Sequence, residues 1–338
     1  MRLVILPNFP ALEGLSISSC NLLEDLPTFP ALKELTIEEC GRLVALPAFP
    51  ALKELDINSC EGLKVLQSYP ALKKLIIWSC KGLENLPTFL ALKELSINYS
   101  DRVDLPTFPA LKKLEINSCE GRMVLPNFPA LEELKIYSCK GLEVLPRLLA
   151  LCELALTFCD DNILKSLPNF ISLSKSSSST TTEISRGTLS TMLQYLRISD
   201  FPILEALPLK DFTSLKKLQI WNCPKLVSFS EELLPTTLKH LAIRECPIKH
   251  LPKGLQNLLS LETLEIDQCH SLESFPEDGL PTSIRRLQWL KLWLHCQEAL
   301  EHIDGGLAMV RFSWSKGPAL VGTITVQTLA MDETVQKM

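Results

Sequence analysis

The sequence lacks the features that would place the chain across a membrane or along a nucleic acid. No apolar run approaches the roughly 18 residues that a membrane-spanning helix needs. The apolar start, MRLVILPNFP, is too short for a secretory signal and is interrupted by Pro7. Lysine and arginine number 34 against 39 aspartate and glutamate, which gives a net charge of -5. We therefore expect no membrane span, no broad basic face for nucleic acid and a cytoplasmic location.

Motifs for catalysis, cofactors and metals are also missing. The chain contains no His-Glu-x-x-His, no Gly-x-Ser-x-Gly, no dinucleotide fingerprint and no Cys-x-x-Cys pair. The stretch GPALVGTIT at 317–325 has the glycine spacing of a phosphate-binding loop, but it lacks the lysine that contacts the phosphates. The sequence therefore predicts a protein that is not an enzyme and that uses neither a cofactor nor a metal.

Cysteine, in contrast, is abundant, with 12 copies at regular intervals. Cys20, Cys40, Cys60 and Cys80 are spaced 20 residues apart, and the later copies that follow residue 200 are spaced by 22 to 23. Ten of the cysteines close the phrase Leu-x-x-Leu-x-Ile/Leu-x-x-Cys, as in LKELTIEEC at 32–40. A fixed period of this size with this leucine pattern is the signature of leucine-rich repeats.

The repeat predicts the direction of each side chain. In a short strand successive side chains alternate between the two faces, so Leu35 and Ile37 point inward while Glu34, Thr36 and Glu38 point outward. Proline makes LPTFPAL-type arms poor helices. We predict an α/β leucine-rich-repeat solenoid, a shallow right-handed horseshoe with a parallel sheet on its concave face, mostly extended or turn-like convex arms and little helix. The cysteines are expected to be buried, unpaired thiols, which favours a reducing compartment.

Changes in the period divide the chain into four parts. Residues 1–173 carry the 20-residue repeats, and 174–188 form a Ser/Thr-rich loop that begins with SKSSSSTTT and interrupts a repeat. Residues 189–294 carry the longer repeats of 22 to 23 residues. Residues 295–338 form a tail without repeats, which is interpreted either as a cap or as disordered.

Each strand presents three outward positions, and most of these positions carry small or charged residues. The outward residues with the character of interface hot spots, which favour Trp, Tyr and Arg, are candidates for partner binding. Scattered exposed apolar residues are also normal on protein surfaces, so no single one of them identifies a binding site. The candidates are Ile76, Trp78, Tyr99, Lys135, Tyr137, Arg197, Trp221 and Arg244.

The phrase Leu-x-x-Leu-x-Ile-x-x-Cys followed by x-x-Leu-x-x-Leu-Pro resembles the repeat region of plant intracellular nucleotide-binding leucine-rich-repeat disease-resistance proteins of the coiled-coil type. LQYLRISDFPILEALP at 193–208 and LKKLQIWNCPKLVSF at 215–229 carry the closest likeness. The resemblance implies a cytosolic immune receptor whose repeats bind a pathogen effector, a guarded host protein or the receptor's own nucleotide-binding domain. That domain has no counterpart in these 338 residues.

Two alternatives remain open. Secreted bacterial effectors also have repeats of about 20 residues with Leu-Pro, although they use Asn where this chain uses Cys. A stand-alone repeat scaffold that binds a host protein fits the pattern as well. A plant cell-surface receptor fits less well, because its repeats carry a Gly-x-Ile-Pro arm.

Overall fold

A computed structural model describes residues 6–292 except 8, 84, 100–104, 120, 122, 143, 147, 161, 166–191, 206, 208, 210–211, 230–233, 274–275 and 277–278. For residues 165, 289–292, 307–316 and 320–329 it describes the backbone alone. The chain divides into two compact units, Met1–Leu193 and Gln194–Met338. The predicted Ser/Thr-rich loop lies outside the described residues, and the predicted four-part division of the chain stays a prediction.

The first unit is built on eight parallel strands, each paired in register with the next. One short helix, α1 (Asn162–Lys165), follows them. The strands are β1 (Gly14–Ser18), β2 (Glu34–Glu38), β3 (Glu54–Asn58), β4 (Lys74–Trp78), β5 (Glu94–Asn98), β6 (Lys113–Asn117), β7 (Glu133–Tyr137) and β8 (Glu153–Thr157).

The second unit continues the same pattern with five parallel strands and one 3₁₀ turn, Leu255–Asn257. Two further strands then pair antiparallel, the first of them with β13. The strands are β9 (Tyr195–Ser199), β10 (Lys217–Trp221), β11 (His240–Arg244), β12 (Thr263–Asp267), β13 (Arg286–Leu292), β14 (Leu307–Lys316) and β15 (Leu320–Leu329). The predicted leucine-rich-repeat solenoid, with a parallel sheet and very little helix, is confirmed.

The core follows from the alternation of side chains along each strand. In β2, Leu35 and Ile37 are buried while Glu34 and Glu38 are exposed, and the other repeats follow this pattern closely. Leu43 and Leu46, in the arm that follows, are buried as well. One repeat cannot cover its own apolar face, so the leucines of stacked neighbours bury one another.

A left-handed residue follows each of the first twelve strands, and none of these twelve residues is a glycine. Ser59, with φ of 52°, is typical: its N–H donates to Trp78 O on the next strand at 2.8 Å. This backbone turn directs Cys60, the next residue, into the core. The inter-strand hydrogen bond offsets part of the strain of a left-handed conformation.

An aromatic stack runs through the arms of the first unit. Ring centroids of successive members lie 6.1 to 6.5 Å apart, and all members except Phe9 are fully buried. Each ring precedes a tight turn, such as the one closed by Leu32 N–H donating to Phe29 O at 3.2 Å. The stack consists of Phe9, Phe29, Phe49, Tyr69, Phe89, Phe108 and Phe128.

Candidate functional site

The outward positions of the strands form the surface on which all the candidate residues were predicted to lie. Most of these positions are exposed or half-buried, as predicted. Four small side chains are buried instead, because each lies in register beside a longer one. They are Asn98 beside Trp78, Ala155 beside Lys135, Ser199 beside Trp221, and Ala242 beside Gln219 and Glu265.

Trp78 and Tyr99 form an exposed aromatic pair in the first unit. Trp78 is the last residue of β4, and Tyr99 is the left-handed residue after β5. Their ring centroids lie 5.4 Å apart with a tilt of 42°, while 42% of Trp78 and 49% of Tyr99 stay exposed. Asn98, between them, is buried and donates a hydrogen bond to Ser96 Oγ at 3.0 Å. The pair is therefore ordered by its neighbours yet open to a partner.

Ile76 lines a shallow pocket of about 320 Å³ on the strand face beside the aromatic pair. Six of its eleven lining residues are charged. Its lining residues are Lys74, Leu75, Ile76, Glu94, Leu95, Ser96, Lys113, Leu114, Glu115, Glu133 and Lys135. We call it the β4–β7 pocket. The candidate Lys135 thus belongs to the same surface as Ile76.

The far wall of the β4–β7 pocket is an ion-pair network. Glu133 accepts from Lys135, and its other oxygen lies 3.5 Å from Lys113 Nζ. Burial alone would raise the pKa of Glu133, but the hydrogen bonds and charges of the two lysines hold it below its usual value. The hydrogen bond with Glu133 raises the pKa of Lys135. Lys135 is therefore engaged in holding this wall in place.

Tyr137 lies apart from the aromatic pair. It ends β7, three strands beyond Trp78, and is half-buried. Its register neighbours are Asn117 and Thr157. The structure therefore separates this candidate from Trp78 and Tyr99.

In the second unit three candidates meet around one indole ring, and we call them the Trp221 cluster. The Arg197 Cζ atom lies 3.7 Å from the ring centroid of Trp221, and the Arg244 Cζ atom lies 5.0 Å from it. Arg244 also forms an ion pair with Glu265 at 3.2 Å. Such cation–π contacts stabilise both the ring and the guanidinium in one orientation.

Sequence reasoning missed a second cation over a ring next to this cluster. Lys217 Nζ lies 5.1 Å from the ring centroid of Tyr195, whose hydroxyl donates to Gln219 Oε1 at 2.7 Å. Both residues occupy the first outward position of their strands. An aromatic residue at that position was the signal available in the sequence, since all other repeats of β1–β12 carry Gly, Glu, Lys, His or Thr there.

The cysteines form a regular row of thiols along the strand ends. None of the eleven that the structure describes forms a disulfide, and most are buried. The Cys60 thiol lies 3.3 Å from Asn58 O and 3.8 Å from Ile37 O on the preceding strand. Burial raises the pKa of the Cys60 thiol to about 12, and does the same for Cys159 and Cys269. Such thiols are inert, in keeping with a structural role.

In the described part of the chain, no three His, Cys, Asp or Glu side chains lie close enough together to hold a metal ion. None of its helices has the length and apolarity needed to cross a bilayer.

Comparison with known proteins reveals structural neighbours only. No protein-family model and no curated protein matches the chain. Among solved structures, YopM from Yersinia enterocolitica is 22% identical with a TM-score of 0.49, and the match covers 82% of this chain and 55% of that one. A leucine-rich-repeat protein of Leptospira interrogans is 17% identical with a TM-score of 0.34, over 82% of this chain and 89% of that one. A leucine-rich-repeat protein from Bacteroides ovatus is 13% identical with a TM-score of 0.25, over 84% and 78%.

Proposed function

We propose that the chain is a protein-recognition module and that the strand face of its first unit binds the partner. The observation that carries this proposal is the exposed Trp78–Tyr99 pair beside Ile76 and the β4–β7 pocket. A large ring that is held in place and half exposed can bury apolar area on binding with little loss of side-chain entropy. Strand faces of stacked repeats provide extended surfaces of this kind.

The character of the strand face favours a protein partner over a nucleic acid. Across β1–β8 the outward positions carry eight acidic and three basic side chains. Such a face repels phosphate, whereas a nucleic-acid site needs an excess of lysine and arginine. The acidic members are Glu34, Glu38, Glu54, Asp56, Glu94, Glu115, Glu133 and Glu153.

We further propose that the module belongs to a plant intracellular disease-resistance receptor and acts in innate immunity. The partner would then be a pathogen effector, a guarded host protein or the receptor's own nucleotide-binding domain. Support comes from the cysteine-ended repeat phrase and its Leu-Pro arm, which resemble that receptor class. The mostly buried thiols of the described residues form no disulfide, which suits the reducing cytoplasm, the location we propose.

The binding role is tested by affinity capture from plant leaf extract with three forms of the chain. Wild type is compared with Trp78→Ala and with the control Leu90→Ala, which removes an apolar side chain that is 70% exposed on an arm, away from the strand face. We expect at least one protein to be retained by wild type and Leu90→Ala and lost by Trp78→Ala. A set of retained proteins that is identical for all three forms would refute the site.

The receptor role is tested by sequencing the transcript that encodes the chain. We expect an in-frame nucleotide-binding domain upstream of the repeats. A transcript that encodes the repeats alone would refute the receptor role for this locus. It would leave the binding role intact, as a stand-alone repeat scaffold, or as an effector if the gene proves to be bacterial.

A further inference from the structure

We propose that the strand face of β9–β11 binds a carboxylate-rich segment of a protein partner, and that Arg197 and Lys217 hold its carboxylates. This inference rests on the proposed function in one respect, that strand faces of this chain bind proteins. It adds a second contact surface, in the second unit, and the chemical class of what that surface recognises.

The first observation is the charge of this surface. The nine outward positions of β9–β11 hold three cations, Arg197, Lys217 and Arg244, and no carboxylate. Glu265 on β12 pairs with Arg244 at 3.2 Å and lies 4.0 Å from His240 Nε2. Arg197 and Lys217, the other two cations, have no carboxylate partner on these strands.

Another carboxylate, that of Asp200, is already engaged. Asp200 directly follows β9, and its two oxygens accept from Ser199 Oγ and Asn222 Nδ2. It is therefore held by neutral donors and forms no ion pair with Arg197 among the described residues. The positive charge of Arg197 and Lys217 is left without a compensating anion in the described part of the unit.

The second observation is the way these cations are held. Arg197 lies over Trp221 and Lys217 lies over Tyr195, so each cation rests on a ring instead of on a carboxylate. A guanidinium that contacts a ring through its flat face keeps the N–H donors of its edge available, and those donors match the two oxygens of a carboxylate. Because the ring already orders the arginine, a partner carboxylate would bind with less loss of side-chain entropy.

The third observation is a group of donors without acceptors. Nε of Arg197, Nε of Arg244 and Nε1 of Trp221 are buried and have no hydrogen-bond partner among the described residues. Buried donors without acceptors destabilise a surface until an acceptor arrives. A carboxylate seated on the Trp221 cluster would supply one after a small adjustment of the side chains.

The neighbouring strand limits the ligand to a short acidic segment. Glu265 and Asp267 occupy outward positions of β12, directly beside Ala242 and Arg244. A long polyanion crossing the sheet would meet these two carboxylates. A short segment along β9–β11 would not, and this favours a peptide-sized acidic ligand over a nucleic acid.

The experiment measures binding of a dye-labelled decaglutamate peptide to the full chain by fluorescence anisotropy at low salt. We expect saturable binding that Arg197→Gln and Lys217→Gln each weaken about fivefold or more. Arg197→Lys keeps the charge but removes the fork of donors, and it should give an intermediate loss of about threefold. Far-UV circular dichroism checks that each variant is folded.

The matched control is Arg42→Gln, which removes the same charge from an exposed arginine of the first unit. We expect it to weaken binding less than about twofold. Absence of decaglutamate binding, or an equal loss in Arg42→Gln, would overturn the proposal, and so would tighter binding of decalysine. Because the test of the proposed function changes Trp78 in the first unit, failure here and success there would reject this surface alone.

Discussion

At the scale of single residues, Trp78 illustrates how a repeat chain can place a large aromatic side chain on its strand face without altering its fold. Its register neighbours on β3 and β5 are asparagines, so the position tolerates a small polar side chain. The sequence could predict that Trp78 faces outward, because Leu75, Ile77 and Cys80 already occupy the inward positions. It could not predict the contact with Tyr99, which depends on the left-handed turn that ends β5.

The first prediction concerns the stability of Trp78→Ala. Because Trp78 is 42% exposed and its main aromatic contact is Tyr99, we expect the free energy of unfolding to fall by only about 1 kcal/mol. Urea denaturation measures this value. A loss of 3 kcal/mol or more, about the cost of removing a buried aromatic side chain, would mean that the ring belongs to the core and that the strand register is wrong.

The second prediction concerns the thiol row and pH. The pKa of the Cys60 thiol has its ordinary value of 9.0 in the unfolded chain, and burial raises this pKa to about 12 in the fold. Between these values the unfolded state releases a proton that the folded state keeps, so the free energy of unfolding falls as pH rises. We expect a loss of about 1 kcal/mol per such thiol at pH 10.

Urea denaturation at pH 8 and pH 10, under reducing conditions, measures this loss, and Cys60→Ser is the matched control because serine does not ionise in this range. The variant should lose about 1 kcal/mol less than wild type between the two pH values. Equal losses in the two proteins would show that the thiol ionises alike in the folded and unfolded states.

At the scale of the elements, the parallel strands could be predicted because each has leucine or isoleucine at alternating positions and the phrase recurs at a fixed period. The left-handed residue after each strand could not, since Ser59 and its counterparts lack the glycine that usually indicates such a turn. The aromatic stack could not be predicted either. The Phe of each arm was visible, but its burial depends on how neighbouring arms pack.

The third prediction concerns the one tyrosine in the buried part of this stack. The Tyr69 hydroxyl is buried without a hydrogen-bond partner among the described residues, and burial raises its pKa well above the usual value, with only a modest opposing effect from the Gln67 backbone. Tyr69→Phe removes an unsatisfied polar group, so we expect the free energy of unfolding to stay unchanged or to rise by up to about 1 kcal/mol.

Thermal and urea unfolding of Tyr69→Phe beside Phe49→Ala provide the measurement and its control. Phe49→Ala leaves a cavity in the same stack and should lower the free energy of unfolding by about 3 to 5 kcal/mol. If Tyr69→Phe instead lowers the free energy of unfolding by more than about 1 kcal/mol, the hydroxyl has a stabilising partner.

At the scale of the whole molecule, all the candidate residues except Tyr137 fall into one group in each unit. Predicted outward position and side-chain type identified them, but their grouping depends on contacts between strands. Arg197 crosses from β9 to the ring of Trp221 on β10, whereas Tyr137 stays apart from Trp78. Which side chains touch across a sheet depends on residues of the neighbouring strands, and a single repeat does not contain those residues. The sequence therefore predicted the surface better than the clusters on it.

The fourth prediction concerns nucleic acid. With a net charge of -5 and an acidic strand face in the first unit, the chain should not retain labelled duplex DNA or RNA in a gel-shift assay at about 150 mM salt. The small basic patch of β9–β11 is too short to change this result. Retention at micromolar protein would contradict the charge-based exclusion.

Site-specific photo-crosslinking in plant cells tests most directly whether the strand face of the first unit binds the partner. The full chain carries p-benzoylphenylalanine in place of Ile76, on the strand face, or in place of Leu90, on an arm. We expect a covalent adduct of the same protein partner from position 76, at least several times stronger than from position 90. Equal adducts from both positions, or an adduct from position 90 alone, would contradict it.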